Sequence, residues 1–403
     1  MYIFTMTPNK LKICHFISYY LPTTQNWIYN QLIHNKECAS AVLCQRLIKP
    51  EQFPFENVYP ICRSSGLSSI PARIVHKLLE QYPAKPYATV IQKIKPDVLH
   101  GHFLLESWRN HRLAKRLGIP LVTTCYGQDI TGLLRKPFWA ARSKKVFENG
   151  VAFIVEGEHM GDTLAKRGCQ REKIKVVKLG IDVDKIGANL YIQRHRTSND
   201  TDNNANKVRI LFTGLNREKK GAVYAVKAFI KALLATAIDL ELHLLGDGIY
   251  RQPMEKILTD AGIRQKAIFH GMKPVAQYLE LLKTTDIVLA PSVHAANGDT
   301  EGGAPVVVIE ALCAGIPVVG STHCDIPNIV THGSSGLLSN ERDVDALAKD
   351  IRTLAENSEL RIGMGKHGAR YARNEHDITK QVQKITKIYR EVALTGAGNG
   401  IAH

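Results

Sequence analysis

The sequence predicts an α/β protein built from two parallel-sheet domains, and three observations carry that reading. Short apolar runs alternate with longer stretches of helical period along most of the chain, the pattern of βαβ units. A polar stretch, QRHRTSNDTDNNANK at residues 193–207, divides the alternation into two series. The length of 403 residues, 44% of them hydrophobic, suits two or three domains of about 150 residues and excludes wholesale disorder.

The first series opens at Ile13–Leu21. Lys10 and Lys12 in front of it imitate a secretory signal, but His15 and Ser18 interrupt the apolar run and no small-residue cleavage site follows. A core strand over Leu11–Ile17 and a cytoplasmic protein are therefore expected. Strands follow at Ser40–Leu43, Val98–His102, Leu121–Cys125 and Ala152–Glu156, with helices at Trp27–His34, 71–81, Leu105–Leu117 and Ala140–Glu148. The second series reads Val208–Thr213, Ala222–Ala235, Leu240–Leu245, Pro253–Ala261, Ala267–His270, Val275–Lys283, Ile287–Ala290, Ala304–Ala314 and Pro317–Gly320. Helical patterns over Asp343–Glu356 and Glu359–Val392 close it. The expected division is a domain over 1–192, a linker or surface loop over 193–207 and a domain over 208–379. In open parallel sheets ligands bind beyond the carboxyl ends of the strands, so the useful residues should follow strands.

Charge and cysteine usage narrow the function. The net charge is +16, and residues 1–200 hold 29 Lys+Arg against 15 Asp+Glu, leaving only +2 for the remainder. Such an excess points to an anionic partner: nucleic acid, a lipid surface or a phosphorylated substrate. No apolar run approaches the ~20 residues that span a bilayer. Eight cysteines without a C-x-x-C pair read as buried thiols of a reducing compartment.

Two loops carry chemistry. After Val208–Thr213 comes Gly214-Leu215-Asn216-Arg217-Glu218-Lys219-Lys220-Gly221 and then a helix. Glycines admit an anion, a helix start follows, and Arg217 and Lys220 supply cations, so the loop suits a diphosphate. After Ile287–Ala290 comes a polar loop with Asp299 and Glu301. Gly302-Gly303-Ala304-Pro305 then opens a helix containing Glu310. A carboxylate in so apolar a helix needs a polar partner, and two carboxylates flanking the turn suit sugar hydroxyls.

These residues resemble the sugar-nucleotide site of the retaining family-four glycosyltransferases, whose fold is GT-B: two Rossmann-like domains facing across a cleft. TGLNREKKG, LHLLGDGIYR, IFHGM, EGGAPVVVIE, HCDIPNIV, VVKLGIDVDKI, DVLHGHF and PLVTTCYGQDI all fit the family, over about residues 85–390. The EGGAP form with HCDIP behind it is most similar to enzymes of exopolysaccharide or capsule assembly, including the colanic-acid type. Departures are visible. Glu301 and Glu310 are nine apart, one more than usual; Leu215 and Tyr126 replace a usual Arg and His; and Leu21–Gln25 replaces a glycine-rich loop.

The resemblance implies a retaining, metal-independent hexosyltransferase that needs no cofactor. It would move a sugar from a nucleotide-diphosphate donor to a lipid-linked saccharide, as a peripheral protein on the inner face of the cell membrane. His102 and Glu301 would be catalytic, His102 facing the reacting sugar. Gly214, Arg217, Lys220, Gly302, Gly303, Ala304 and Glu310 would bind donor, with Glu310 on the ribose. The first domain would bind acceptor, with a C-terminal helix at about 380–395 packed back on it. Asp129 either lines the cleft or caps a turn.

Other readings compete. His100 and His102 share a strand face but show no third metal ligand, and Asp182-Val183-Asp184 and Asp343-Val344-Asp345 read as turns or caps rather than metal sites. A same-fold epimerase or phosphorylase is an alternative, the latter weakened by the lack of a cofactor lysine segment. A degenerate structural partner is another, suggested only by Leu215 and Tyr126. A nucleic-acid-binding protein would explain the charge, but aromatics are 7% and no binding module is present.

Overall fold

The computed structural model describes residues 10–22, 25–61, 84–188, 207–214 and 217–398. The helix expected over 71–81, nearly all of the linker, Cys62 and Leu215 lie outside them. The chain forms two compact units, Met1–Gly180 with Ile378–His403, and Ile181–Asp377. Ile181 therefore opens the second unit, where the sequence had suggested a boundary after 192. Its backbone N–H donates to the His376 carbonyl at 2.8 Å, and the Cys313 thiol reaches the Val183 carbonyl.

The first unit is a seven-stranded sheet of β1 (Leu11–Tyr20), β2 (Cys38–Leu47), β3 (Val58–Pro60), β4 (Val98–His102), β5 (Leu121–Thr124), β6 (Ala152–Val155) and β7 (Ile174–Val176). Their order is 3-2-1-4-5-6-7, and every neighbour is parallel. β4, β5 and β6 are buried along their whole length, as expected for strands covered on both faces. The helix Ile378–Gly398 lays Ile385, Ile388, Tyr389 and Val392 against Ile13, Val98, Val122 and Ile154.

The second unit holds β8 (Lys207–Thr213), β9 (Asp239–Leu245), β10 (Ala267–Gly271), β11 (Ile287–Ala290), β12 (Val318–Ser321) and β13 (Gly336–Ser339). These form a parallel six-stranded sheet in the order 10-9-8-11-12-13. Val208, Ile210 and Phe212 alternate into a core with Ala225, Val226 and Phe229 of the helix Ala222–Leu234. β3 and β13 were not anticipated, being three and four residues long.

Both sheets reverse their winding at one place, between β1 and β4 and between β8 and β11. A crevice for ligands opens at such a switch point. The loops after β8 and β11 are the two that the sequence marks as chemical. The predicted Glu359–Val392 stretch is two helices, Ser358–Glu375 and Ile378–Gly398. Among the described residues no helix is long and apolar enough to cross a membrane.

Candidate active site

The loops after β8 and β11 are stitched together residue by residue. Val293 N–H donates to the Lys219 carbonyl at 2.8 Å, and Ala296 N–H donates to the Glu218 carboxylate at 3.0 Å. Gly221, at φ +73°, lies so close to the second loop that a Cβ would sit 1.8 Å from the Pro291 carbonyl oxygen. Gly214, at φ +114°, leaves room for the Lys220 side chain, whose Cγ lies 2.5 Å from where a Cβ would be. Only glycine allows both approaches.

This stitching aims two lysines at the acidic loop. Lys219 Nζ sits 3.3 Å from Asp299 Oδ1 and donates to the Thr300 carbonyl at 2.8 Å. Lys220 Nζ sits 3.0 Å from the Glu301 carboxylate, which also accepts from Ser292 Oγ at 2.9 Å. Burial pushes Glu301 up, but Lys220, Lys219 and the Ser292 hydroxyl together hold it below the usual carboxylate range. The Glu301 N–H donates to His323 Nε2 at 3.1 Å. Beyond it, Gly302 turns at φ +78°. Among the described residues, the N–H groups of Gly303 and Ala304 have no protein acceptor.

The helix then runs over Val306–Cys313, with Pro305 before it. It is apolar all round except for Glu310, whose Oε2 accepts from the Tyr278 hydroxyl at 2.7 Å. Burial raises Glu310 to about 7, and the Tyr278 bond works against that rise. Its other oxygen accepts from no protein group among the described residues. Arg217 is exposed, and its guanidinium has no protein partner among the described residues. Thus Gly214, Arg217, Lys220, Glu301, Gly302, Gly303, Ala304 and Glu310 all lie in the second unit, where Gly214, Lys220 and Glu301 are brought into direct contact. Lys219, Ser292, Tyr278 and His323 join them without having been singled out, although the resemblance had marked the segments holding Lys219, Ser292 and His323.

In the first unit His102 stands at the end of β4, but it is not a free ring. Its Nε2 lies 3.0 Å from His15 Nδ1 and its Nδ1 lies 2.7 Å from the Tyr126 hydroxyl. His15 Nε2 reaches Ser40 Oγ at 3.4 Å. His100 is held between Tyr389 at 2.5 Å and Thr124 at 2.7 Å. Burial first, then neighbouring histidines, lowers His100 and His102 well below normal, and burial takes His15 to about 3. All three are therefore neutral. Burial likewise keeps the Tyr126 phenol protonated, so Tyr126, His102, His15 and Ser40 form a chain of neutral hydrogen-bonding groups. His102, expected to face the reacting sugar, is buried with both ring nitrogens engaged by His15 and Tyr126. The third histidine of the cluster, His15, was missed because only the parallel register His15↔His100 brings it there.

Asp129 is a clamp. Buried, it accepts from the N–H groups of Leu104 and Tyr126 at 2.9 Å each, joining the turns after β4 and β5. Burial raises it to about 6. The two D-x-D motifs are also structural: Asp182 accepts from Lys185 N–H at 2.9 Å, Asp343 from Ala346 N–H at 2.9 Å, and Asp345 pairs with Lys231.

Comparison with known proteins places both units in glycosyltransferase families. Residues 193–371 match the family described as glycosyl transferases group 1, and residues 56–185 match glycosyltransferase family 4. WcaL of Escherichia coli K12, named for colanic acid biosynthesis, is 27% identical over 307 residues, covering 75% of this chain and 71% of WcaL. AmsK of Erwinia amylovora, an amylovoran biosynthesis glycosyltransferase, is 33% identical over 193 residues, covering 48% of this chain and 44% of AmsK. Among solved structures, Anabaena HepE in complex with UDP aligns with a TM-score of 0.75 at 16% identity, over 94% of this chain and 100% of HepE. The chain belongs to the family-four glycosyltransferases of GT-B fold.

Proposed function

We propose that the protein is a retaining, metal-independent hexosyltransferase that passes a sugar from a nucleoside-diphosphate donor to a lipid-linked saccharide in surface polysaccharide synthesis. The observation that carries this is the Lys220–Glu301 pair, which joins the loop after β8 to the turn whose Gly303 and Ala304 N–H groups have no protein acceptor among the described residues. Relatives support the setting: WcaL and AmsK are named for colanic acid and amylovoran biosynthesis, and HepE was solved with UDP-glucose.

In this reading Glu310 accepts the ribose hydroxyls with the oxygen that Tyr278 leaves open. Arg217 and Lys220 neutralise the departing diphosphate, whose charge grows as the donor sugar becomes oxocarbenium-like. Glu301, kept ionised by Lys220, and the Gly302–Ala304 backbone hold sugar hydroxyls. The acceptor attacks the face the diphosphate leaves, and a phosphate oxygen takes its proton. His102 reaches a sugar only when Tyr126 or His15 releases one of its nitrogens.

The basic first unit supplies the membrane side. Arg112, Lys115 and Arg116 are exposed on the helix Leu104–Leu117, and Lys144 and Lys145 on the neighbouring helix Pro137–Asn149. Phe138 is 55% exposed beneath the Arg142 guanidinium, 3.7 Å above its ring. Clustered cations of this kind contribute about 1 kcal/mol each at an anionic surface. A thermal-shift screen against sugar nucleotides, with and without chelator, tests the donor claim. Stabilisation by at least one of them, lost in Glu310→Ala and unaffected by chelator, is expected. No stabilisation by any sugar nucleotide would sink it.

A further inference from the structure

We propose that His323 is a positioning residue that orients Glu301 through a single hydrogen bond from the Glu301 backbone, with Glu341 holding the ring in place. This rests on the reading of Glu301 as a ligand of the donor sugar.

His323 follows β12, and its side chain is fully buried. A backbone N–H can only donate, so the 3.1 Å contact from Glu301 requires a lone pair on His323 Nε2. The Glu341 carboxylate can only accept, so its 2.7 Å contact requires the proton on Nδ1. The two ends select one neutral tautomer. Burial lowers the His323 pKa and outweighs the opposing pull of Glu341, which agrees with a neutral ring. Cys324 Sγ lies 3.2 Å from the same Nε2. Burial raises its thiol to about 11, so it stays protonated, and toward an Nε2 lone pair it can act as a donor.

Glu341 is itself pinned. It accepts from His294 Nδ1 at 2.6 Å and from His294 N–H at 2.8 Å, which ties it to the loop after β11 that also carries Glu301. The residues that follow His323 and Glu341 are both non-glycine residues in the left-handed region, Cys324 at φ +47° and Arg342 at φ +64°. Such strain persists where surrounding structure over-determines it, often beside a working site. The chain thus holds two unfavourable backbone conformations to keep one imidazole nitrogen under the Glu301 amide.

His294, His323 and Glu341 also offer atoms within 4.8 Å of one another, a spacing that invites a divalent metal. The tautomer argues against that occupant. A metal on Nδ1 would move the ring proton to Nε2, where it would face the Glu301 N–H, donor against donor.

The test contrasts two substitutions. His323→Asn keeps an amide near the Nδ1 position for Glu341 and offers nothing at Nε2, whereas His323→Gln places a carbonyl oxygen near Nε2. Asn is expected to lower kcat by about 10- to 100-fold with donor KM within about twofold, and Gln to restore most of it. Nitrogen NMR of the wild-type histidines reads the same point without a variant, with His323 protonated on Nδ1 and bare on Nε2. Equal loss in both variants, or a proton on Nε2, overturns the proposal. So does Zn2+ binding to the wild-type chain that needs His294 and moves the His323 signals. If His323→Asn keeps full kcat while Glu301→Gln loses it, positioning fails and the donor site stands. If Glu301→Gln also keeps full kcat, the reading of Glu301 has failed.

Discussion

Lys220 and Glu301, 81 residues apart in the chain, form an ion pair at 3.0 Å in which the carboxylate is nearly buried and the ammonium is a quarter exposed. The pair links the loop after β8 to the turn after β11. Each partner explains the other: Lys220 makes a buried carboxylate tolerable, and Glu301 holds a flexible lysine where a leaving phosphate would need it. Lys220→Ala should destabilise the protein by about 3 kcal/mol in urea unfolding, because it strands a buried charge. Lys220→Ala combined with Glu301→Gln should recover part of that loss. Sugar-nucleotide turnover should fall at least ~100-fold in either variant.

Glu310 gives a pH signature. It is raised to about 7 by burial, and Tyr278 can bond one oxygen only. Ribose hydroxyls need the carboxylate as acceptor, so donor affinity measured by calorimetry should weaken about tenfold from about pH 8 to pH 6. Glu310→Gln should bind weakly and without that pH dependence.

Folding stability should run the other way. Glu310 and Asp129 are both raised in the folded chain, to about 7 and about 6, from 4.5 and 3.8. The native state therefore holds extra protons. Their contribution is fully present below the unfolded values and is lost as pH rises through the folded ones. Urea midpoints of Glu310→Gln and wild type should agree near pH 4 and separate above pH 7, the variant being the more stable. A variant less stable at high pH would contradict a Glu310 whose pKa burial raises.

Gly221→Ala should be among the most damaging single-methyl changes in the second unit. The added carbon would lie 1.8 Å from the Pro291 carbonyl oxygen, at a backbone angle of φ +73°. A loss of about 4 kcal/mol or more is expected in urea unfolding. Gly262→Ala, also at positive φ but with nothing within 4 Å, should cost far less.

The basic face should be separable from the chemistry. Lys144→Glu with Lys145→Glu and Phe138→Ala should reduce flotation with vesicles of anionic lipid. Turnover of sugar nucleotide in solution should be unchanged. Neutral vesicles should bind neither protein.

Much of the donor unit was legible because its chemistry is local. Gly214 to Lys220 and Asp299 to Glu310 are single segments, and a strand with a loop behind it is visible in the pattern of residues. What the chain order hides is whatever depends on register. Tyr278 meets Glu310 across 32 residues, and Glu341 meets His323 across 18, from helix and turn positions that no periodicity marks. His102 shows the same limit. Its place at a strand end was readable, but its burial between His15 and Tyr126 follows from strand pairing and from aromatic packing of Tyr126 on Phe103 and Trp27.

The most direct measurement is release of nucleoside diphosphate from a panel of sugar nucleotides, made with wild type, Lys220→Ala and Glu310→Ala in the presence of chelator. Wild type should turn over at least one donor, and both variants should lose at least ~100-fold while remaining folded. Turnover that both variants retain in full would contradict the assignment of Lys220 and Glu310 to the donor.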